Sequence, residues 1–533
     1  MRLDHTTTVL DAVVEAAREA AAVRELAAHR IWLDPLPARI ELSSVVRPGE
    51  PSVLRPAIGI IDRPYHQRQD PLELDLSESG GHVAVSGGPQ TGKTGALRTL
   101  AAALAAGHST DQVRFYVIDL GDGGLSQLER LPHVAGYAGR GDDEKIRRII
   151  DEVTALVDVP EQRHTFLFID GWHAIATTGS ELDDLVDVVS GIAADGPGAK
   201  VHLVITTPRW ATLRPAIRDL ITHRIELRLV DALDSVIDRK AQERLPVAPG
   251  RGLSADGAHM LIAFTSGQDL EHVRREAQAQ GQQPVPALRM LPTAVDVAQL
   301  PPAETPGLAL GIGGPRLTTL TWDPAADAHL VIVGASQSGK SVALRTAMSG
   351  ICQLGRERAR LVVVDPRRSH LGELPDEMVA AYAASASAAA QALRSATTTL
   401  RERLPGPDIS PAELRERSWW TGPDIYIAID DLDLVAADEL HPLSELLPFA
   451  RDIGLHLVVA RKSGGIGRAM FGGLLAALHD EQPAALILSA DRDDGPIFGV
   501  RPKPLSPGRA TWVTRGVNRG ACHVALTQEV SQP

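Results

Sequence analysis

Short, unbroken apolar runs recur along the chain, each closed by a glycine, an acid, a threonine pair or an arginine. HVAVSG from His82, FYVID to Asp119, TFLFID to Asp170 and HLVITT from His202 form one series. HLVIVG from His329, LVVVD to Asp365, IYIAID to Asp430 and HLVVAR from His456 form a second. Such runs, without polar alternation, predict strands covered on both faces, as in a parallel sheet. Longer stretches of helical spacing separate them, so strand, loop and helix alternate. That alternation predicts an α/β fold with mainly parallel central sheets and helices on both faces. The N-terminus differs: Val9, Val13, Ala17 and Ala21 recur at helical spacing behind Thr7 and Thr8, either of which can cap an amphipathic helix.

The two series are copies of one unit. HVAVSGGPQTGKTGALRTL from His82 and HLVIVGASQSGKSVALRTA from His329 align without a gap, 247 residues apart. In a chain of 533 residues this is a duplicated domain. The segment GQDLEHVRREAQAQGQQPVPALRMLP from Gly267, continued by QLPPAETPG, is dense in Gln and Pro and reads as a linker. The expected organisation is an N-terminal helix and lead-in over 1–50, a first α/β module over 51–290 and a second over 291–533. The stretches Trp32 to Pro64 and Gly307 to Asp323 lead into the two modules in matching places and read as short strands flanking the site that the glycine-rich loop of each copy forms.

Inside the repeat lies the chemistry. Gly87, Gly88, Pro89, Gln90, Thr91, Gly92, Lys93 and Thr94 in the first copy match the phosphate-loop pattern G-x-x-x-x-G-K-[ST] between a strand and a helix. Gly334, Ala335, Ser336, Gln337, Ser338, Gly339, Lys340 and Ser341 match it in the second. The glycines let successive N–H groups turn inward around phosphates at a helix N-terminus. Lys93 and Lys340 would reach the β- and γ-phosphates, while the Thr94 and Ser341 hydroxyls would ligate Mg²⁺. ATP and Mg²⁺ are therefore the expected cofactors, and the fold expected is two tandem RecA-like P-loop NTPase domains.

Asp170 and Asp430 close strands at the place of a metal-directed acid, which makes Thr94 with Asp170 and Ser341 with Asp430 the candidate Mg²⁺ pairs. Asp170, Asp430 and Asp431 are the candidate catalytic residues. Many translocating ATPases put a glutamate directly after this aspartate to orient the attacking water. Here Gly171 and Asp431 stand there, one lacking the carboxylate and the other a methylene shorter. A misplacement of about 1 Å can cost roughly 100-fold in rate, so both sites are expected to bind ATP well and hydrolyse it poorly.

Other residues carry two readings each. Asp119 and Asp365 bear on the nucleotide crevice or satisfy loop N–H groups. Thr206, Thr207 and Arg461 follow later strands, where such folds sense the γ-phosphate. His82, His202 and His456 stand at strand starts and read as structural; the eighteen histidines form no ligand-like cluster. Met470, Phe471, Leu474, Leu475 and Leu478 form an apolar helical stripe that either packs into the core or lines a groove for an amphipathic peptide.

Charge narrows the partners. Asp and Glu number 67 against 54 Lys and Arg, a formal net charge of −13, which disfavours a nucleic-acid substrate. The two cysteines, Cys352 and Cys522, lack the paired spacing of metal sites or disulfide frameworks and fit a reducing cytoplasm. No apolar run reaches the roughly 18–20 residues that span a bilayer. Asp4, Asp11, Glu15 and Glu19 interrupt the N-terminal stretch, unlike a secretory signal.

Taken together, the loops GGPQTGKT and GASQSGKS, the strand ends FIDGW and IYIAIDDLDLV, and the segments ELRLVDALDS, PGRGLS, ARDIGLHLVVAR and LSPGRA resemble the EccC ATPases of actinobacterial type VII secretion systems, within the FtsK/SpoIIIE superfamily. The resemblance runs from about Thr8 to about Leu526. It is closest to the separately encoded second half of a split EccC, whose membrane spans and first ATPase module lie on a partner chain. The resemblance implies export of small helical-hairpin Esx-type substrates, recognised on the last module through a C-terminal signal. It further implies a homo- or hetero-oligomeric ring, with the chain cytoplasmic and recruited to the inner face of the membrane by that partner. An arginine from a neighbour would complete each site, with Arg224, Arg251, Arg468 and Arg509 as candidates. A non-catalytic ATP-binding adaptor and, less favoured by the charge, a DNA translocase are the competing functions.

Overall fold

The computed structural model describes residues 8–26, 33–45, 54–77 and 81–527, and its contacts divide the chain into two units, Met1–Leu288 and Arg289–Pro533. Within each unit the described residues form a ten-stranded sheet. The first unit contains β1 (Ala57–Arg63), β2 (Arg68–Glu73), β3 (Val83–Ser86), β4 (Val113–Asp119), β5 (Val134–Gly139), β6 (His164–Asp170), β7 (Val201–Thr207), β8 (His223–Leu227), β9 (Arg251–Leu253) and β10 (His259–Ile262). The second contains β11 (Leu308–Gly313), β12 (Thr318–Trp322), β13 (Leu330–Gly334), β14 (Ala359–Val364), β15 (Val379–Ala383), β16 (Asp424–Ile429), β17 (Leu455–Lys462), β18 (Ala484–Leu488), β19 (Arg509–Thr514) and β20 (Val517–Val524).

The strand orders are β2-β1-β10-β9-β8-β3-β7-β6-β4-β5 and β12-β11-β20-β19-β18-β13-β17-β16-β14-β15. The second is the first with every label advanced by ten. In each sheet the run from β8 to β5, or from β18 to β15, is parallel, and the remaining strands pair antiparallel. The central strands β3, β4, β7 and β13 are buried along their whole length, which is why they read as unbroken apolar runs.

Histidines at the strand starts staple the sheets. His82 Nδ1 accepts the Leu203 N–H at 2.9 Å, and His329 Nδ1 accepts that of Leu457 at 3.0 Å. His202 and His456 reach Gly81 O and Ala328 O through Nδ1. These contacts place His82, His202 and His456 in structural roles.

Three expectations need correction. The lead-in strands β1, β2, β11 and β12 do not flank the nucleotide sites: β1 lies four strands from β3, and β11 four from β13, at the antiparallel edges. Trp32 and Thr7 lie outside the described residues, and Thr8 caps the helix Val9–Val23 through a capping box with Asp11. The segment after Gly267 does not begin as a linker. It opens with a helix, Gly267–Ala279, capped by Ser266 and Asp269, whose Leu270 and Val273 join the first core. Gln and Pro density hid a sparse apolar stripe. Finally, Met470 to Leu478 is not one helix, because residues 470–472 leave the helical conformation between Ile466–Ala469 and Gly473–Asp480. Leu474, Leu475 and Leu478 enter the second core, Met470 packs partly against it, and Phe471 is 92% exposed.

No helix among the described residues is long and apolar enough to cross a membrane.

Candidate functional site

Both phosphate loops leave a central parallel strand and run straight into a helix: β3 into Lys93–Gly107, β13 into Lys340–Cys352. Their backbones match. Gln90 and Gln337 have φ of 58° and 61°, and Gly92 and Gly339 of 99° and 105°. A Cβ on Gly92 would stand 2.9 Å from the Gly250 nitrogen, so glycine is needed for clearance as well as for its left-handed backbone. This contact explains the Pro-Gly-Arg segments. The Gly250 N–H donates to Thr91 O at 2.8 Å and the Gly508 N–H to Ser338 O at 3.0 Å, propping each loop from behind.

The lysines lie over their loops. Lys93 Nζ donates to Gly87 O at 2.9 Å and Gly88 O at 2.7 Å, and Lys340 Nζ donates to Ala335 O at 2.8 Å. Burial lowers both pKa values, opposed by Asp170 in the first unit and by Asp431 and Asp430 in the second. A partly desolvated ammonium beside a helix N-terminus suits a polyphosphate.

The hydroxyl and carboxylate of each candidate metal pair meet. Thr94 Oγ1 donates to Asp170 Oδ2 at 2.7 Å, and Ser341 Oγ to Asp430 Oδ2 at 3.0 Å. Two adjoining oxygen donors beside a phosphate loop fit Mg²⁺, which keeps its remaining positions for phosphate and water.

Around the aspartates the units diverge. Thr206 Oγ1 donates to Asp170 Oδ1 at 2.6 Å and accepts the Gly171 N–H at 2.8 Å. Burial raises the Asp170 pKa despite these hydroxyls. By strand register Ala460 takes the place of Thr206 in the second unit, and the missing partner is supplied by a residue that sequence reasoning missed, His370. Its fully buried imidazole sets Nε2 at 3.4 Å from Asp430 Oδ2 and Nδ1 at 3.1 Å from Glu373 Oε2, while Arg345 clasps Glu373 at 2.6 Å. Burial works against the Asp430 charge, but His370 and Ser341 outweigh it and the pKa lies below the ordinary value. The signal was present in SHLGEL after Asp365, where the first copy reads GGLSQL.

Asp431 and Gly171 both adopt left-handed backbone, φ 50° and 83°. The Asp431 carboxylate is engaged by Arg367 Nε at 2.5 Å. Burial, reinforced by Asp430, raises its pKa. Asp119 accepts the N–H groups of Gly121 and Leu125, and Asp365 accepts the His370 N–H and the Tyr382 hydroxyl, so loop bracing is what these acids do here.

The profile of the FtsK/SpoIIIE family matches residues 45–278 and 308–418. The ESX-1 secretion system protein EccCb1 of Mycolicibacterium smegmatis is 32% identical over 548 residues, covering 92% of each chain. The chain belongs to the EccC branch of the FtsK/SpoIIIE family. The ESX-4 secretion system protein EccC4 of Mycobacterium tuberculosis is 41% identical over 92% of this chain, which spans only 42% of that protein's length. Thermomonospora curvata EccC (ATPases 2 and 3), solved in complex with a signal sequence peptide, matches with a TM-score of 0.81 and 35% identity over 93% of this chain and 99% of that one.

Within this EccC-family frame, most of the arginines considered for a neighbour's site are already engaged. Arg251 donates to Leu36 O and Pro37 O, Arg509 to Leu291 O and Pro292 O, and Arg224 to Arg218 O. Arg468 is exposed and makes no side-chain hydrogen bond among the described residues. Thr207 donates to Arg209 O and Arg461 to Lys462 O.

Proposed function

We propose that this chain is the ATP-binding motor and substrate-recognition component of a type VII secretion system, exporting small helical Esx-type proteins. The observation that carries the reading is the duplicated pair of phosphate loop and hydroxyl–carboxylate contact, Thr94 with Asp170 and Ser341 with Asp430, in a chain similar to EccCb1 through both units. Mg²⁺ held at these pairs would neutralise phosphate charge. Lys93 and Lys340 bind the β- and γ-phosphates, and the loop N–H groups orient them.

Hydrolysis by the chain alone is weak. Gly171 offers no carboxylate to orient water, and Asp431 is engaged by Arg367. The same facts favour a second reading, an adaptor that holds ATP as a structural clamp while turnover occurs on the partner chain. A membrane-bound EccC partner carrying the first ATPase module recruits the chain to the inner face of the membrane, where it joins a ring and takes Esx-type substrate by its C-terminal signal. A net charge of −13 argues against a duplex substrate.

The test compares ATP turnover and binding of an Esx C-terminal peptide for the chain alone and with its membrane-bound partner. A motor component raises turnover of the assembly and loses that gain in the Lys93→Ala, Lys340→Ala double variant. Unchanged turnover in that variant supports the adaptor, and absence of peptide binding in both states removes the recognition role.

A further inference from the structure

We infer that the second site is a mixed nitrogen–oxygen metal centre in which His370 Nε2 joins Ser341 Oγ and Asp430 as a ligand, so that it takes divalent transition ions in preference to Mg²⁺, while the first site remains an oxygen-only Mg²⁺ site. The inference rests on the reading that both sites hold metal–nucleotide.

Two of the three donor pairs have the spacing of neighbouring ligands on one ion. Ser341 Oγ and His370 Nε2 lie 3.0 Å and 3.4 Å from the same oxygen, Asp430 Oδ2. Neighbouring donors on an octahedral ion with bonds of about 2.1 Å stand about 3 Å apart. The imidazole is fully buried, and its Nε2 makes no hydrogen bond.

Its other nitrogen is already committed. Nδ1–H donates to Glu373 Oε2 at 3.1 Å, and Glu373 is fixed by Arg345, which sits one helical turn beyond Ser341. A carboxylate accepting from one ring nitrogen sets the tautomer that leaves the other lone pair for a metal. Entry of the ion displaces any proton on Nε2 to solvent and replaces its contact with Asp430. An imidazole donor favours later first-row ions over Mg²⁺, which prefers oxygen.

The first unit contains the control. Gly124 and Gln127 replace His370 and Glu373, although Arg98 still stands where Arg345 does. A Cβ on Gly124 would lie 2.6 Å from the Thr94 γ-methyl, so a side chain can enter there only beside a serine, and serine is what the second loop carries.

The experiment uses the full chain with Lys93→Ala to silence the first site, loaded with Mn²⁺ and a non-hydrolysable ATP analogue. Pulsed EPR is expected to detect imidazole nitrogen coupled to Mn²⁺, and His370→Gln or His370→Ala should abolish that coupling while bound nucleotide persists. In parallel, the Co²⁺ over Mg²⁺ affinity ratio should fall about tenfold or more in either variant, the scale on which partners of a metal site act. Lys340→Ala, which leaves only the first site, should show Mn²⁺ without nitrogen coupling. Bound nucleotide and Mn²⁺ without nitrogen coupling in the Lys93→Ala chain would overturn this inference alone. Absence of nucleotide there would remove the nucleotide reading and this one with it.

Discussion

Thr94 and Gly124 are matched to each other: the γ-methyl of the loop threonine fills the space that a Cβ at position 124 would need, at 2.6 Å. Ser341 and His370 solve the same packing problem in the opposite way. Gly124→His should therefore lower nucleotide content and melting temperature by itself, and Thr94→Ser should recover much of both. A double-mutant cycle on melting temperature should give a coupling of about 1 kcal/mol or more, as for residues in contact. Additive effects would mean the two positions are independent.

Lys93→Ala and Lys340→Ala should each remove one of two bound nucleotides, counted by absorbance after denaturation. Each lysine reaches only the carbonyls of its own loop, so the losses should add. A single substitution that empties both sites would contradict this independence.

Gly171→Glu should raise turnover at the first site, measured with Lys340→Ala in place. The nearest atom to a Cβ there is the Leu120 backbone at an ordinary 3.4 Å, so the remaining cost is left-handed backbone, about 1–2 kcal/mol. A well-placed base is worth about 10²–10⁴-fold, and a gain of tenfold already separates the outcomes. Asp431→Asn should leave turnover nearly unchanged because Arg367 already engages that carboxylate. A large loss on Asp431→Asn would make Asp431 the water-orienting base.

Acid should destabilise both units before their carboxylates titrate. Burial holds His202 and His329 down to about 3 and His133 to about 4, against 6.5 when exposed. Above pH 6.5 both states are neutral and the shifts contribute nothing. Below it the unfolded chain binds protons that the folded chain refuses, so stability falls from about pH 6.5 towards 3–4, by up to about 1.4 kcal/mol per pH unit for each histidine. Melting temperature against pH should show this slope, and His133→Gln should reduce it by the share of one histidine. A flat profile between pH 6.5 and 5 would rule out buried neutral histidines.

Leu474→Ala should cost about 2–5 kcal/mol, because its side chain lies in the second core. Phe471→Ala should leave stability within about 0.5 kcal/mol, since its ring is 92% exposed. Esx-peptide binding measured on both variants then separates a surface role for Phe471 from loss of fold. Normal peptide binding by Phe471→Ala would remove this residue from the recognition surface.

The sequence by itself determined the duplicated module, both phosphate loops and the acids that face them, because each depends on local order: an apolar strand, a glycine turn, a helix start. It also carried the absence of a glutamate after Asp170 and Asp430. It did not reveal that the lead-in strands sit at the far edge of each sheet, since apolar runs carry no information on antiparallel order. Nor did it place Leu474 in the core and Phe471 outside it, because the helix is interrupted before Gly473 and the helical period that joined them is lost. His370 is the clearest case. One histidine in a loop after Asp365 has no pattern of its own, and its meaning comes from Asp430, which strand order brings to it, and from its near neighbour Glu373, which Arg345 on a separate helix holds in place. Periodicity and spacing record contacts between near neighbours, whereas a buried polar cluster is assembled by strand order and packing, and only the folded chain decides which side chains share it.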